Sequence, residues 1–307
     1  MIEVKNVTKR FEGSTALADL TCTVKKGSVY GLVGANGAGK STLMRLIAGV
    51  YRPESGEILI EGQSVYENYD IKERIAFVPD DLYFLPGANL KRMAKLQAAG
   101  RKRFDGKLLF ELANILDLDV KKPIGQFSKG MKRQAATILA LATRPDFILF
   151  DETFDGLDPI ARSMVKRLVS ACILERGATA VITSHSLREL EDTCDQLALL
   201  HKGGLVLESD VSGLKTSLFK VQIALATEFA RADIEAVGNH IEILSYSQKG
   251  SVANIIVGGD RAKVTQSLRA LSPLVLEVLP LSLEEVFTFE MKARGYDFDK
   301  IFGGDVV

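Results

Sequence analysis

One octapeptide limits this chain more than any other feature: Gly34-Ala-Asn-Gly-Ala-Gly39-Lys40-Ser41. It fills every fixed position of the phosphate-loop pattern G-x-x-x-x-G-K-S/T. Glycines in such a loop let backbone N–H groups face a polyphosphate with no side chain in the way. The flanks suit the motif. Ser28-Val-Tyr-Gly-Leu-Val33 is a short apolar run, as expected of a strand buried on both faces. After the loop, Leu43, Leu46 and Ile47 fall on one helical face, and Gly49 marks a stop. A strand, a glycine loop and a helix in this order bring the positive N-terminal end of the helix to an anion. On this pattern Lys40 reaches the β- and γ-phosphates and the Ser41 hydroxyl meets Mg²⁺. Gly34, Asn36, Gly37, Ala38, Gly39, Lys40, Ser41 and Thr42 are the candidate nucleotide-binding residues of the loop.

A second signal lies more than a hundred residues on. Phe147-Ile-Leu-Phe150-Asp151-Glu152 reads as a buried strand that carries two carboxylates to the end of a sheet, where ligands of open α/β sheets bind. Asp151 is the candidate Mg²⁺ ligand. Glu152 is the candidate general base that orients and deprotonates an attacking water.

The rest of the chain supplies a frame for these two motifs. Ile2-Glu-Val-Lys-Asn-Val7, Leu20-Thr-Cys-Thr-Val24 and Glu57-Ile-Leu-Ile-Glu-Gly62 read as strands, and Ile75-Ala-Phe-Val-Pro79 as another buried one. Three helical patterns follow between residues 89 and 143. From Phe147 onward strands and helices alternate, which predicts an α/β domain with a largely parallel sheet. The helices at about 86–143 then form a subdomain inserted into it. Near residue 215 the pattern changes, and 216–307 reads as a smaller α+β unit, with 1–215 as the main domain.

Composition narrows the function. Lys+Arg and Asp+Glu both total 39 over 307 residues, so no basic excess supports a nucleic-acid binder. No run approaches the roughly 18 apolar residues of a spanning helix, and the opening residues lack the apolar stretch of a secretory signal. Cys22, Cys172 and Cys194 lie far apart, with neither metal spacing nor a disulfide pattern. Buried or idle thiols in a reducing compartment are expected.

With these motifs in hand, the chain resembles the nucleotide-binding subunits of ATP-binding cassette (ABC) transporters over residues 1 to about 215. Phe127-Ser128-Lys129-Gly130-Met131 stands where that family has its LSGGQ signature; Ser128 and Gly130 match, Lys129 and Met131 depart. Asp155-Gly-Leu-Asp158-Pro159 resembles the D-loop, with Thr153 where a Pro is usual. His185 in Ile182-Thr-Ser-His-Ser186 resembles the switch histidine that contacts the γ-phosphate. Phe11 resembles the aromatic that stacks on adenine. Where the family has a Gln after the strand at 75–79, this chain has Asp80, followed by Asp81. An Asp binds a hard cation more strongly than an amide does, so Asp80 is expected to fill the Gln role in modified form, near both metal and water. A solvated acidic turn is the other reading.

The resemblance implies a P-loop ATPase fold, ATP and Mg²⁺ as ligands, and a partner. In this family the signature of one subunit covers the ATP held by another, and this chain has one copy of each motif. It implies a second cassette, either another copy or a sibling chain, and a separate transmembrane permease subunit. No nucleic-acid partner is expected, and the location implied is cytoplasmic, peripheral on the inner face of the membrane. Leu281-Ser-Leu-Glu-Glu-Val-Phe287 resembles a segment of bacterial ABC-2 type exporter cassettes. A soluble cassette acting on ribosomes or DNA is the alternative. A phosphotransferase built on a phosphate loop would need no signature, D-loop or His185.

Overall fold

The protein, seen in a computed structural model, is described over residues 1–154, 156–211, 218–238, 241–279, 281–293 and 295. It divides into two compact units, Met1–Glu208 and a second that begins at Ser209. The predicted junction at 215 lies outside the described residues, as does Asp155.

Along the first unit run β1 (Ile2–Phe11), β2 (Ser14–Val24), β3 (Val29–Val33), α1 (Lys40–Ile47), β4 (Ser55–Ile60) and β5 (Gln63–Ser64). Then come α2 (Tyr69–Glu73), β6 (Ile75–Val78), α3 (Leu90–Gly100), α4 (Gly106–Ile115), α5 (Lys129–Leu141) and β7 (Phe147–Asp151). The last elements are α6 (Pro159–Arg176), β8 (Thr179–Ser184), α7 (Leu187–Leu190), β9 (Gln196–His201) and β10 (Gly204–Asp210), which spans the division.

These strands build two sheets. One is antiparallel, in the order β2-β1-β4-β5; the other has the order β10-β9-β3-β8-β7-β6. In the second sheet the pairs β3–β8, β3–β9, β6–β7 and β7–β8 are all parallel. All five residues of β3 and of β7 are buried, which is why both read as unbroken apolar runs. Helix α1 shares a core with both sheets. Its Leu43, Met44, Leu46 and Ile47 belong to one cluster with Ile2, Val4 and Leu17 of the antiparallel sheet and with Tyr30, Leu32 and Leu149 of the parallel one. Burying each of these large side chains contributes about 2 kcal/mol before entropy is counted. The helix that carries the phosphate loop is therefore anchored from two sides.

Helices α3, α4 and α5 pack on one another between β6 and β7. Each is capped by a side chain: Asn89 accepts from Arg92 N at 2.9 Å, Asp105 from Leu108 N at 3.0 Å and Ser128 from Met131 N at 3.2 Å. The stretch from Ser186 to Asp195, whose spacing reads as one helix, is helical only over Leu187–Leu190. Its tail is drawn into the sheet instead. Asp195 accepts the Val29 N–H at 2.8 Å, and Cys194 is buried, so the chain must turn before β9. Short α2 had no periodicity to betray it.

The second unit contains β11 (Leu218–Ala224), α8 (Arg231–Glu235), β12 (Glu242–Lys249), β13 (Val252–Gly258), α9 (Arg261–Arg269), β14 (Val275–Leu279) and α10 (Leu283–Ala293). The strand order is β12-β13-β11-β14, all antiparallel. This βαββαβ succession is the ferredoxin-like arrangement. Its core joins Val221, Ile223, Ile255 and Val257 of the sheet to Ile234, Val264 and Leu268 of α8 and α9.

Candidate active site

The site forms where β3 and β7 of the parallel sheet end. Beyond β3 the loop must pass very close to its neighbours. A Cβ on Gly34 would stand 2.4 Å from the Leu200 carbonyl oxygen. Gly39, at φ 109°, lies in the left-handed region, and a Cβ there would meet the Ala16 oxygen at 2.6 Å. No acidic residue occupies the first turn of α1, so the helix supplies no charge of its own against its positive end. Lys40 is 4% exposed. Its Nζ donates to the Gly34 carbonyl at 2.7 Å and to that of Ala35 at 3.2 Å. It also stands 3.2 Å from Glu152 Oε1.

Opposite the loop, register decides which groups meet. Asp151 pairs with Thr183 across β7 and β8. Asp151 Oδ1 accepts from Thr183 Oγ1 at 2.8 Å and from Ser41 Oγ at 3.1 Å. Its Oδ2 is buried with no hydrogen-bond partner. Burial pushes the Asp151 carboxyl above its ordinary range, and the hydroxyls of Thr183 and Ser41 oppose that shift. A buried carboxylate with one orphaned oxygen is costly unless a cation meets it. The hard oxygens of Asp151 and Ser41, 3.1 Å apart with Asp151 Oδ2 unpartnered, suit Mg²⁺; Asp80 lines the same cleft, with its Oδ1 taken by Arg133.

Glu152 has φ 49°, in the left-handed region that a side chain of this size seldom enters. Its N–H donates to Thr183 Oγ1 at 2.9 Å and its carbonyl accepts from Arg133 Nη1 at 2.6 Å. A second Arg133 nitrogen, Nη2, donates to Asp80 Oδ1 at 2.7 Å. The cleft between loop and acids holds about 380 Å³. Asn36, Gly37, Gly39, Lys40, Ser41 and Thr42 form one wall; Asp80 and Glu152 face them. Ala38 lies buried behind the loop.

The remaining predicted residues lie outside this lining. Phe11 ends β1, 40% exposed and edge-on to Tyr51 with ring centroids 5.3 Å apart. Ser128 caps α5. Gly130 lies close to Gly156 and Leu157, where a Cβ would meet the Gly156 oxygen at 3.5 Å. Asp158 caps α6, accepting from Ile160 N at 3.0 Å and Ala161 N at 2.9 Å. His185 is exposed just beyond β8.

Sequence reasoning missed Arg133 and Thr183. Thr183 sits near the end of a fully buried strand, and a hydroxyl there was a usable signal, because a buried hydroxyl needs a partner. Arg133 gave none: on a helix, an Arg at this spacing reads as solvated surface, yet only 3% of it is exposed.

The family described as ABC transporter matches residues 17–155. The chain is 31% identical to ABC transporter ATP-binding protein YtrB of Bacillus subtilis (strain 168), over 94% of this chain and 97% of that protein. It is 33% identical to bacitracin transport ATP-binding protein BcrA of Bacillus licheniformis, over 70% of this chain and 71% of the relative. A solved dimeric ATP-binding cassette, in a post-hydrolysis state with ADP and Pi, shares the fold with a TM-score of 0.63. It is 23% identical and covers 69% of this chain and 99% of its own.

Proposed function

Because this chain belongs to the ABC transporter ATP-binding proteins and is an ATPase, we propose that it works as one cassette of a head-to-tail pair, closing over Mg·ATP and driving a separate membrane-spanning subunit. The observation that carries this reading is a division of labour within one chain. Lys40, Ser41, Asp80 and Glu152 meet around one cleft, while Ser128 and Gly130 are not among its lining. A polyphosphate held by the loop is thus left for the Ser128 end of a second cassette to cover. The solved cassette of the same fold is itself described as a dimer bound to ADP and Pi, which supports the pair. The mate is another copy or a sibling chain.

Within the site each residue has a task set by its surroundings. The loop N–H groups and Lys40 bind the phosphates. As phosphate oxygens take the Lys40 ammonium, the Glu152 carboxylate 3.2 Å away loses its partner and becomes available to a water. Glu152 then accepts the proton of that water as its oxygen attacks the γ-phosphorus and the bond to the β-phosphate oxygen breaks. Asp151 and Ser41 would hold Mg²⁺, which neutralises developing charge on the phosphates, with Asp80 lining the same cleft. Phe11, His185 and Asp158 join as stacking, γ-phosphate and cross-subunit residues when the pair closes.

Export is the direction we assign, on the resemblance carried by Leu281–Phe287 and by the Ser-Lys-Gly-Met signature. The protein acts from the cytoplasmic face of the membrane, as a peripheral subunit. Among the described residues no helix is long and apolar enough to cross a membrane. The decisive variant is Glu152→Gln. It should retain ATP binding, lose turnover by about 100-fold or more, and elute as an ATP-dependent pair in size-exclusion chromatography. Normal turnover would remove Glu152 as the base. A protein that stays monomeric in ATP, with or without its sibling chain, would end the sandwich.

A further inference from the structure

We propose that Arg133 is a positioning residue for hydrolysis: one buried guanidinium sets Glu152 and Asp80 together. The proposal rests on the assignment of Glu152 as the base. Arg133 lies in the second turn of α5, five residues beyond the Ser128 cap. It reaches the back of the cleft with both terminal nitrogens occupied, Nη1 on the Glu152 carbonyl at 2.6 Å and Nη2 on Asp80 Oδ1 at 2.7 Å.

Two features of this contact set it apart from a structural ion pair. The first concerns the backbone of Glu152. At φ 49° that residue persists only because its surroundings over-determine it. Its N–H is held by Thr183 from β8 and its carbonyl by Arg133 from α5, so both polar groups of the strained residue are tied. Release of the carbonyl lets the peptide relax, and the carboxylate moves with it. The second concerns charge. Asp151 and Glu152 already bring two carboxylates to this corner, and Asp80 adds a third, its side chain 51% exposed toward the cleft. The Arg133 guanidinium offsets that third charge at the point where it arises. The carboxylate at 80 and the guanidinium at 133 therefore act as a unit. A fork of two N–H donors spans both acceptors; a lysine ammonium in the same place satisfies one of them at a time.

The test uses the full chain, with steady-state ATPase kinetics and direct binding of a fluorescent ATP analogue. Arg133→Met should lower kcat by about 10- to 100-fold, with nucleotide Kd changed by about 3-fold or less, since the loop is untouched. Arg133→Lys should recover only part of kcat. Asp80→Asn alone should slow turnover, and added to Arg133→Met it should cost less than it does alone, because the part of its effect that runs through the pair is already lost. A kcat for Arg133→Met within about 2-fold of wild type, or a loss seen only in nucleotide binding, overturns the proposal. So does full additivity of the two changes. If Arg133→Met fails to fold, Arg133→Lys decides: wild-type kcat overturns, and a reduced kcat with intact binding sustains. Glu152→Gln in the same assay separates the two readings. If it hydrolyses normally, the assignment of the base has failed. If it is dead while the Arg133 variants are unaffected, only the present proposal falls.

Discussion

At the scale of single residues, the site trades stability for chemistry. Asp151 is wholly buried, with one oxygen unpartnered and its carboxyl raised above the ordinary range, chiefly by burial. An acid raised in the folded state holds a proton there that the unfolded chain has already lost. Its ionisation therefore weakens the fold as pH rises through the folded value. Asp151→Asn should keep the acceptor for Thr183 and Ser41 while removing the charge. We expect the nucleotide-free variant to melt higher than the wild type at neutral pH and to lose turnover. The difference in melting should close as pH falls below about 4, where the carboxyl is neutral in both states. Equal melting of the two proteins at neutral pH would show that the carboxylate costs nothing where it lies.

At the scale of elements, the inserted helices are tied to the sheet by charge. Asp146, just before β7, accepts from Arg103 at 2.7 and 3.0 Å and from Arg74 at 2.6 Å. The hydrogen bond from Arg103, and after it that from Arg74, pull its carboxyl down to about 2 against the cost of burial. A depressed acid stabilises the fold above its unfolded pKa and stops doing so as pH falls through the folded one. Asp146→Asn should cost about 1 kcal/mol at pH 7 after solvent screening. That deficit should shrink between pH 4 and about 2 in urea titrations. A pH-independent deficit would assign the loss to packing instead. The same junction aligns β7, and so the two acids at its far end. In α5, the Ser128 cap fixes where the helix starts and hence which turn carries Arg133 inward.

At the scale of the molecule, ATP hydrolysis and the membrane are separate problems. The described residues that line the cleft at the phosphate loop all belong to the first unit. Native-membrane extracts should yield a stable complex of this protein with a multi-span partner, detectable by affinity capture and mass spectrometry. Recovery with ribosomes or DNA, and with no membrane partner, would favour the soluble reading of the family. The division into two compact units predicts two unfolding steps by calorimetry when ATP is added, because nucleotide raises only the transition of the unit that binds it. A single transition shifting as a whole would show that the units unfold together.

The amino-acid sequence alone determined the phosphate-loop pattern, the apolar strand that ends in Asp151 and Glu152, and the main strands and helices, though not short α2 or β5. Those features are local: glycine torsions, an apolar run and a helix face are each written in consecutive residues, and chemistry demands them at fixed spacing. The tertiary structure decided what surrounds them. Thr183 reaches Asp151 from 32 residues away, through strand register. Arg133 reaches Glu152 from 19 residues away and Asp80 from 53, through the way α5 packs. No pattern in neighbouring residues encodes such meetings, because they depend on how separately formed elements settle against one another in a shared core.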